Sequence, residues 1–160
     1  MLGSTVESVT SALKRARSGL RQIAAATEVR PPPPAGTAAE RALVGRFARA
    51  WESADADAVV ALLTDDAFIT MPPMPYRYDG KALVGRFCAA LFDGGRRFEL
   101  LPTRANGQPA LGAYLATAGG PRPGVGLFVL TLAGDRIAAM TRFEPTVLEH
   151  FDLPSSLLGG

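Results

Sequence analysis

The side chains that could carry acid–base chemistry are few and poorly placed in this sequence. General acid–base catalysis needs a titratable group in a dry pocket, with a pKa tuned towards neutrality. The single histidine, His150, lies near the C-terminal end and outside the predicted strands. Asp65-Asp66 falls at a helix–strand junction, where a turn or capping role is favoured, and Glu144 follows the last predicted strand as a solvated or ion-paired charge. No carboxylate occurs in the predicted hairpin after Glu99, so the sequence predicts no catalytic residue.

Binding chemistry is better represented, around a predicted β-hairpin. Asn106-Gly107 stands between two strand-like runs and readily supplies the two positive φ angles of a type I′ turn. Arg104 and Gln108 flank this turn and either reach a ligand or support the hairpin. Tyrosine hydroxyls can donate to a ligand carbonyl, and large apolar side chains form cavity walls or simply fill the core. The predicted ligand-pocket residues are Trp51, Phe68, Met71, Met74, Tyr76, Tyr78, Phe87, Arg104, Gln108, Tyr114, Phe128, Arg142 and Phe143.

The N-terminal segment has a different character from the rest of the chain. Residues 1–30 contain five basic and two acidic residues, a net charge of +3, whereas the remainder has 12 basic and 13 acidic residues. Ser4 and Glu7 fit a capping box at the start of an amphipathic helix. This helix either docks its apolar stripe on the body or contacts DNA with its polar face. The predicted DNA-binding residues are Ser4, Thr5, Ser8, Thr10, Ser11, Lys14, Arg15 and Arg17.

The order of predicted elements indicates an α+β fold. We expect residues 1–27 to hold the basic helix, 28–36 a semi-rigid linker with four consecutive prolines, 37–154 a folded domain and 155–160 a flexible tail. Apolar periodicity in the domain predicts helices at 38–53, 55–63 and 81–92, strands at 65–71, 96–104, 109–117, 124–133 and 135–143, a loop at 76–79 and a closing helical turn at 146–153. Helices gathered on one side of a mostly antiparallel, strongly curved sheet would enclose a cone-shaped pocket.

Composition limits the class of protein further. Hydrophobic residues make up 48% of the 160 positions, enough for a real core. The lone Cys88 excludes an internal disulfide and lies in a helical apolar pattern, which predicts a buried free thiol. No apolar run approaches membrane-spanning length and no secretory signal pattern is present, so we expect a cytoplasmic protein without membrane contact. We expect neither a metal nor an organic cofactor.

Two stretches of the sequence resemble known families. Residues 37–154 are similar to the SnoaL-like branch of the nuclear transport factor 2-like superfamily, through Trp51, Asp65-Asp66-Ala-Phe-Ile-Thr-Met-Pro-Pro-Met-Pro75 and Tyr78-Asp-Gly80. Thr103-Arg-Ala-Asn-Gly-Gln-Pro-Ala110 resembles the C-terminal extension of extracytoplasmic-function sigma-70 factors that carry such a domain. The N-terminal segment resembles the end of sigma region four, with its recognition helix. The resemblance implies a cone-shaped curved sheet packed on three helices.

The resemblance also implies a function in transcription. A sigma factor works with the RNA polymerase core and promoter DNA, and the SnoaL-like domain would tune its activity by binding a small apolar ligand or by packing against the sigma core. The polymerase-binding region would precede Met1, so we expect this chain to be the tail of a longer factor, unable to initiate transcription alone. Two alternatives stay open: an isomerase, cyclase or hydrolase of the SnoaL or ketosteroid isomerase type, and a homodimerisation module.

Overall fold

The computed structural model describes residues 30–158. The predicted basic helix, its candidate DNA-binding residues and Gly159-Gly160 lie outside the described residues. Three α-helices occur in the described part: α1 (Ala38–Glu52), α2 (Ala56–Val60) and α3 (Lys81–Asp93). Thr37 caps α1, because its hydroxyl accepts a hydrogen bond from the backbone N–H of Glu40.

Helix α2 is shorter than the predicted 55–63. Asp55 caps it by accepting from the backbone N–H of Ala58 at 3.1 Å. The chain then leaves the helix because its backbone pairs elsewhere: Ile137 N–H donates to the carbonyl of Leu62 at 2.8 Å. Leu63 thereby begins a strand instead of ending the helix.

The seven strands of the described region form one curved open sheet. They are β1 (Leu63–Met71), β2 (Met74–Asp79), β3 (Phe98–Ala105), β4 (Gln108–Leu115), β5 (Arg122–Ala133), β6 (Arg136–Phe143) and β7 (Ser156–Leu157). The order is β2-β1-β6-β5-β4-β3, and β7 pairs with β5 outside this path. Only the β1–β6 pairing is parallel among them. A 3₁₀ helix at Pro145–Phe151 follows β6, where the closing helical turn was predicted. This is the predicted α+β class.

Two predicted irregular segments are strands instead. Residues 76–79, expected as a loop, belong to β2, which pairs antiparallel with β1 through partners such as Ile69 and Tyr78. The Pro72–Pro73 segment reverses the chain without ending the sheet, and an edge strand tolerates Pro75 because one side needs no N–H partner. Within the predicted flexible tail, Ser156–Leu157 forms β7, with Leu157 opposite Arg122.

The predicted hairpin is confirmed. Asn106 has φ +52° and Gly107 has φ +79°, the two positive values that a type I′ turn requires. The β3–β4 register closes at the pair Ala105 and Gln108, directly beside the turn. This turn chemistry fixes the register of both strands and therefore decides which of their side chains share a face.

Both faces of the central strands are buried. Leu111, Phe128 and Leu130 face the helices and join the main core. Tyr114 and Leu127 face the opposite way, into a second cluster that includes Leu148 of the 3₁₀ helix. Strands buried on both faces have nearly continuous apolar sequences, without a strict alternation of apolar and polar residues.

Candidate functional site

A cavity of about 430 Å³ lies between the helices and the sheet. This volume falls in the range of small-molecule sites. Its walls come from α1, α3, the loop before β3 and strands β1 and β3–β6. They consist of Trp51, Ile69, Met71, Phe87, Leu91, Arg96, Phe98, Leu115, Val125, Phe128, Met140 and Arg142.

Trp51 is the centre of the aromatic wall. It is 1% exposed, and its ring centroid lies 5.1 Å from that of Phe128 and 5.2 Å from that of Phe92, both edge-on. Phe47 stacks on it at 5.6 Å, and Phe98 lies at 6.1 Å. Such aromatic packing fixes the indole orientation. The indole N–H has no hydrogen-bond partner among the described residues and is inaccessible to water.

Two arginines supply the charge of the cavity lining. Arg142 is half-buried and pairs in register with Phe128 across β5 and β6. Its Nη2 donates to the carbonyl oxygen of Val125, which holds the guanidinium against the wall. Arg96 lies in the exposed loop between α3 and β3. No carboxylate, histidine or tyrosine is among the described lining residues.

The structure brings together five of the thirteen predicted pocket residues: Trp51, Met71, Phe87, Phe128 and Arg142 line the cavity. The other lining residues were not singled out from the sequence. Those on strands carried a signal, because alternate residues of β5 and β6 share a face with Phe128 and Arg142. The sequence contains no such signal for Arg96, because nothing in a loop sequence indicates which way a side chain points.

Arg104 lies outside the cavity lining and serves the structure. Its Nη1 donates to Glu40 Oε1 at 2.6 Å and its Nη2 to Glu40 Oε2 at 3.3 Å. Nη2 also donates to the carbonyl of Gly107 in the hairpin turn at 2.7 Å. The guanidinium lowers the pKa of the Glu40 carboxyl, although burial acts in the opposite direction. Arg104 therefore joins the hairpin to the start of α1.

Gln108, Tyr114 and Phe143 lie on the sheet face turned away from the cavity. Gln108 Nε2 donates to the hydroxyl of Thr131 at 2.9 Å. Tyr114 is fully buried in the second cluster, where its hydroxyl donates to the carbonyl of Pro154 at 2.7 Å, and burial raises its pKa. Phe143 packs against the same cluster.

The remaining predicted pocket residues are outside the cavity lining, on β1 and β2. The Arg77 guanidinium lies over the Phe68 ring, 4.1 Å from the ring centroid. Tyr78 packs on Phe87, with ring centroids 4.7 Å apart, and so supports a cavity wall from behind. Met74 and Tyr76 are exposed on the edge strand, at 37% and 56%.

The candidate acid–base groups stay at the surface, although Asp65 and Asp66 lie within β1 and not at a turn or helix cap. His150, Glu144, Asp65 and Asp66 are exposed. Cys88 is fully buried as a free thiol, and burial raises its pKa to about 12. In the part of the chain that is described, no group of His, Cys, Asp and Glu could hold a metal ion, and no helix is long and apolar enough to cross a membrane.

Comparison with known proteins finds relatives of this chain. The chain is 34% identical over 161 aligned residues to the ECF RNA polymerase sigma factor SigG of Mycobacterium tuberculosis H37Rv. That match covers 98% of this chain and 42% of SigG, so the chain spans about two fifths of the length of its curated relatives.

Solved structures share the fold. A candidate ketosteroid isomerase from Kribbella flavida has a TM-score of 0.55 at 25% identity, covering 69% of this chain and 81% of its own. An NTF2-like protein of unknown function from Mesorhizobium loti has a TM-score of 0.57 at 20% identity, covering 70% and 95%. Residues 44–140 match the family model described as a SnoaL-like domain. Because this match covers more than half of the sequence, the chain belongs to the SnoaL-like domain family.

Proposed function

We propose that this chain is the C-terminal regulatory portion of a sigma-70-type transcription initiation factor. In the whole factor, the SnoaL-like domain would tune sigma activity by binding a ligand or by packing against the sigma core. The similarity to SigG supports this, because it extends over nearly the whole chain and not only over the SnoaL-like residues. The partners would be the RNA polymerase core and promoter DNA in the cytoplasm, the DNA met by the predicted residues of the N-terminal helix.

The observation that carries a binding role is the composition of the cavity wall. A general acid or base must lie within hydrogen-bond reach of the proton it moves. The described lining offers apolar side chains and two guanidiniums, and an arginine stays protonated at any ordinary pH. Such a wall holds a ligand but has no group to exchange a proton with it. This favours regulation over the isomerase, cyclase or hydrolase alternative.

The contacts of the proline-rich segment favour communication along the chain. The backbone N–H of Gly134 donates to the carbonyl oxygens of Arg30 and Pro31, with N···O distances of 3.1 Å and 3.0 Å. Arg30 Nη2 also pairs with Asp135 Oδ1 at 2.9 Å. Arg30 and Pro31 therefore lie against the β5–β6 turn, so the linker contacts the domain directly.

Deletion tests the proposal. A factor that ends in this chain is expressed in a cell carrying a reporter from its own promoter, with or without residues 37–154. Regulation predicts a several-fold change in reporter output at equal protein level, whereas a domain with independent enzymatic activity leaves output unchanged. The matched control is the full-length factor with Arg46→Gln, a surface change on α1 that should preserve the wild-type output.

A further inference from the structure

Five arginines of the described region have an acidic partner, and the two arginines of the cavity lining are not among them. Arg30, Arg77, Arg104, Arg122 and Arg136 all lie within ion-pair distance of a carboxylate. Among the residues described, neither cavity arginine, Arg96 or Arg142, has a carboxylate partner. The guanidinium of the half-buried Arg142 lies beside apolar walls without an anion, so it loses part of its hydration and gains no compensating charge.

The donors of these two arginines are also incompletely used. A guanidinium has five N–H donors. Arg142 directs one Nη2 bond to the Val125 carbonyl, and the contacts of the described residues account for no further acceptor. The Arg96 side chain has no hydrogen-bond acceptor in the same region. Free donors therefore border a cavity whose remaining walls are apolar.

We infer that the cavity binds an amphipathic organic acid, with its apolar body against the aromatic and aliphatic walls and its carboxylate at Arg96 and Arg142. Arginine forms paired, charge-assisted hydrogen bonds with carboxylates. The apolar walls exclude water and would strengthen this interaction. That this ligand would regulate transcription rests on the proposed function. That the cavity binds it does not.

The buried N–H of Trp51 is not part of the inferred site. Because this nitrogen is inaccessible to water, a ligand in the open part of the cavity does not reach it. The indole ring does line the cavity, and Trp51 is the single tryptophan of the chain. Its fluorescence therefore reports on cavity occupancy without a label.

The test compares three probes that share an eight-carbon tail: octanoate, 1-octanol and octylammonium. Each is titrated into the full 160-residue chain, with Trp51 fluorescence and calorimetry as readouts. Octanoate should bind roughly tenfold more tightly than 1-octanol, because a hydrogen bond to a charged group contributes about that ratio. Octylammonium should bind most weakly. Equal or tighter binding of 1-octanol, or no octanoate binding at about 1 mM, would overturn the inference.

Variants locate the carboxylate. Arg96→Gln, at an exposed loop position, should lower octanoate affinity several-fold and leave 1-octanol affinity unchanged. Arg142→Gln should also lower octanoate affinity and leave 1-octanol affinity unchanged. If loss of the Val125 contact impairs folding of Arg142→Gln, Arg96→Gln still tests the inference. Arg46→Gln removes the same charge at an exposed position outside the lining and should bind octanoate like the wild type. If Arg96→Gln and Arg142→Gln both retain wild-type octanoate affinity, the arginines are not the carboxylate site and the inference is wrong.

The two proposals fail in different ways. If octanoate does not bind but deletion of residues 37–154 changes promoter output, the ligand class is wrong while regulation stands. If octanoate binds as described but deletion changes nothing, the cavity has its ligand and the domain is not a regulator.

Discussion

Arg104 and Glu40 form a bidentate ion pair between the turn of the β3–β4 hairpin and the first turn of α1. The Glu40 carboxylate also accepts from the backbone N–H of Gly36, 3.1 Å away. Three separate parts of the chain thus meet at one buried carboxylate, 7% exposed, where the linker enters the domain. Of the two roles that the sequence left open for Arg104, ligand contact and hairpin support, its contacts are those of the second.

Glu40→Gln should therefore destabilise the fold. We expect a loss of about 1–2 kcal/mol at pH 7, at the lower part of the range for charged hydrogen bonds because Arg104 is 42% exposed and water partly replaces its partner. Urea unfolding measures this loss. Glu149→Gln, at an exposed position, is the control and should change stability by less than about 0.5 kcal/mol.

The destabilisation by Glu40→Gln should depend on pH. The folded pKa of Glu40 lies below its ordinary value of 4.5, so its contribution is fully present above pH 4.5 and is lost as pH falls through the folded pKa. The stability difference between wild type and variant should therefore shrink when unfolding is repeated at successively lower pH below 4.5. A constant difference would mean that the carboxylate charge does not stabilise this junction.

Tyr114→Phe separates the two faces of the sheet. The change removes the hydrogen bond to the Pro154 carbonyl and should cost about 1 kcal/mol in unfolding free energy. Because Tyr114 faces the second cluster, octanoate affinity should not change. Weaker octanoate binding by a stably folded Tyr114→Phe protein would place this side chain in the site, against the observed register.

Cys88 should be unreactive in the folded protein. Burial raises its thiol pKa to about 12 from an ordinary 9.0, so the thiolate is scarce at pH 8 and also inaccessible. Iodoacetamide should modify it at a rate set by unfolding, and rapidly in urea. Fast modification under native conditions would show that α3 opens readily and exposes the cavity wall beside it.

Gly126→Ala should disturb the wall near Arg142. Gly126 has φ +158°, and a Cβ there would lie 2.7 Å from the Phe143 carbonyl oxygen and 3.0 Å from Arg142 Nε. We expect a loss of about 1–3 kcal/mol in stability and weaker octanoate binding. Gly45→Ala in α1 is the contrasting variant: its Cβ meets only the flexible end of Arg49, and the better helix former should be neutral or stabilising.

The sequence predicted the fold well because its strongest signals are local. Asn106-Gly107 predicts the hairpin turn by its positive φ angles, and the helices carry clear apolar stripes. Residues 76–79 were misread because prolines next to a short strand resemble a loop, whereas an edge strand accommodates them.

The site was harder to predict because it depends on which strand face meets the helices. Both faces of β4 are buried, so the apolar character of a residue does not show which face it lies on. Leu115 lines the cavity, whereas Tyr114 lies on the opposite face of the sheet. Register fixes that difference, and register follows from pairing between distant segments. The choice between the two roles of Arg104 could not be made for a related reason: its partner, Glu40, lies 64 positions earlier in the chain.

Run-off transcription with purified components tests the central claim most directly. The full-length factor and the same factor lacking residues 37–154 are each combined with core RNA polymerase on a promoter that the factor recognises, at equal active concentrations. A regulatory SnoaL-like domain predicts a several-fold difference in transcript yield between the two. Equal yields at all factor concentrations would contradict the account.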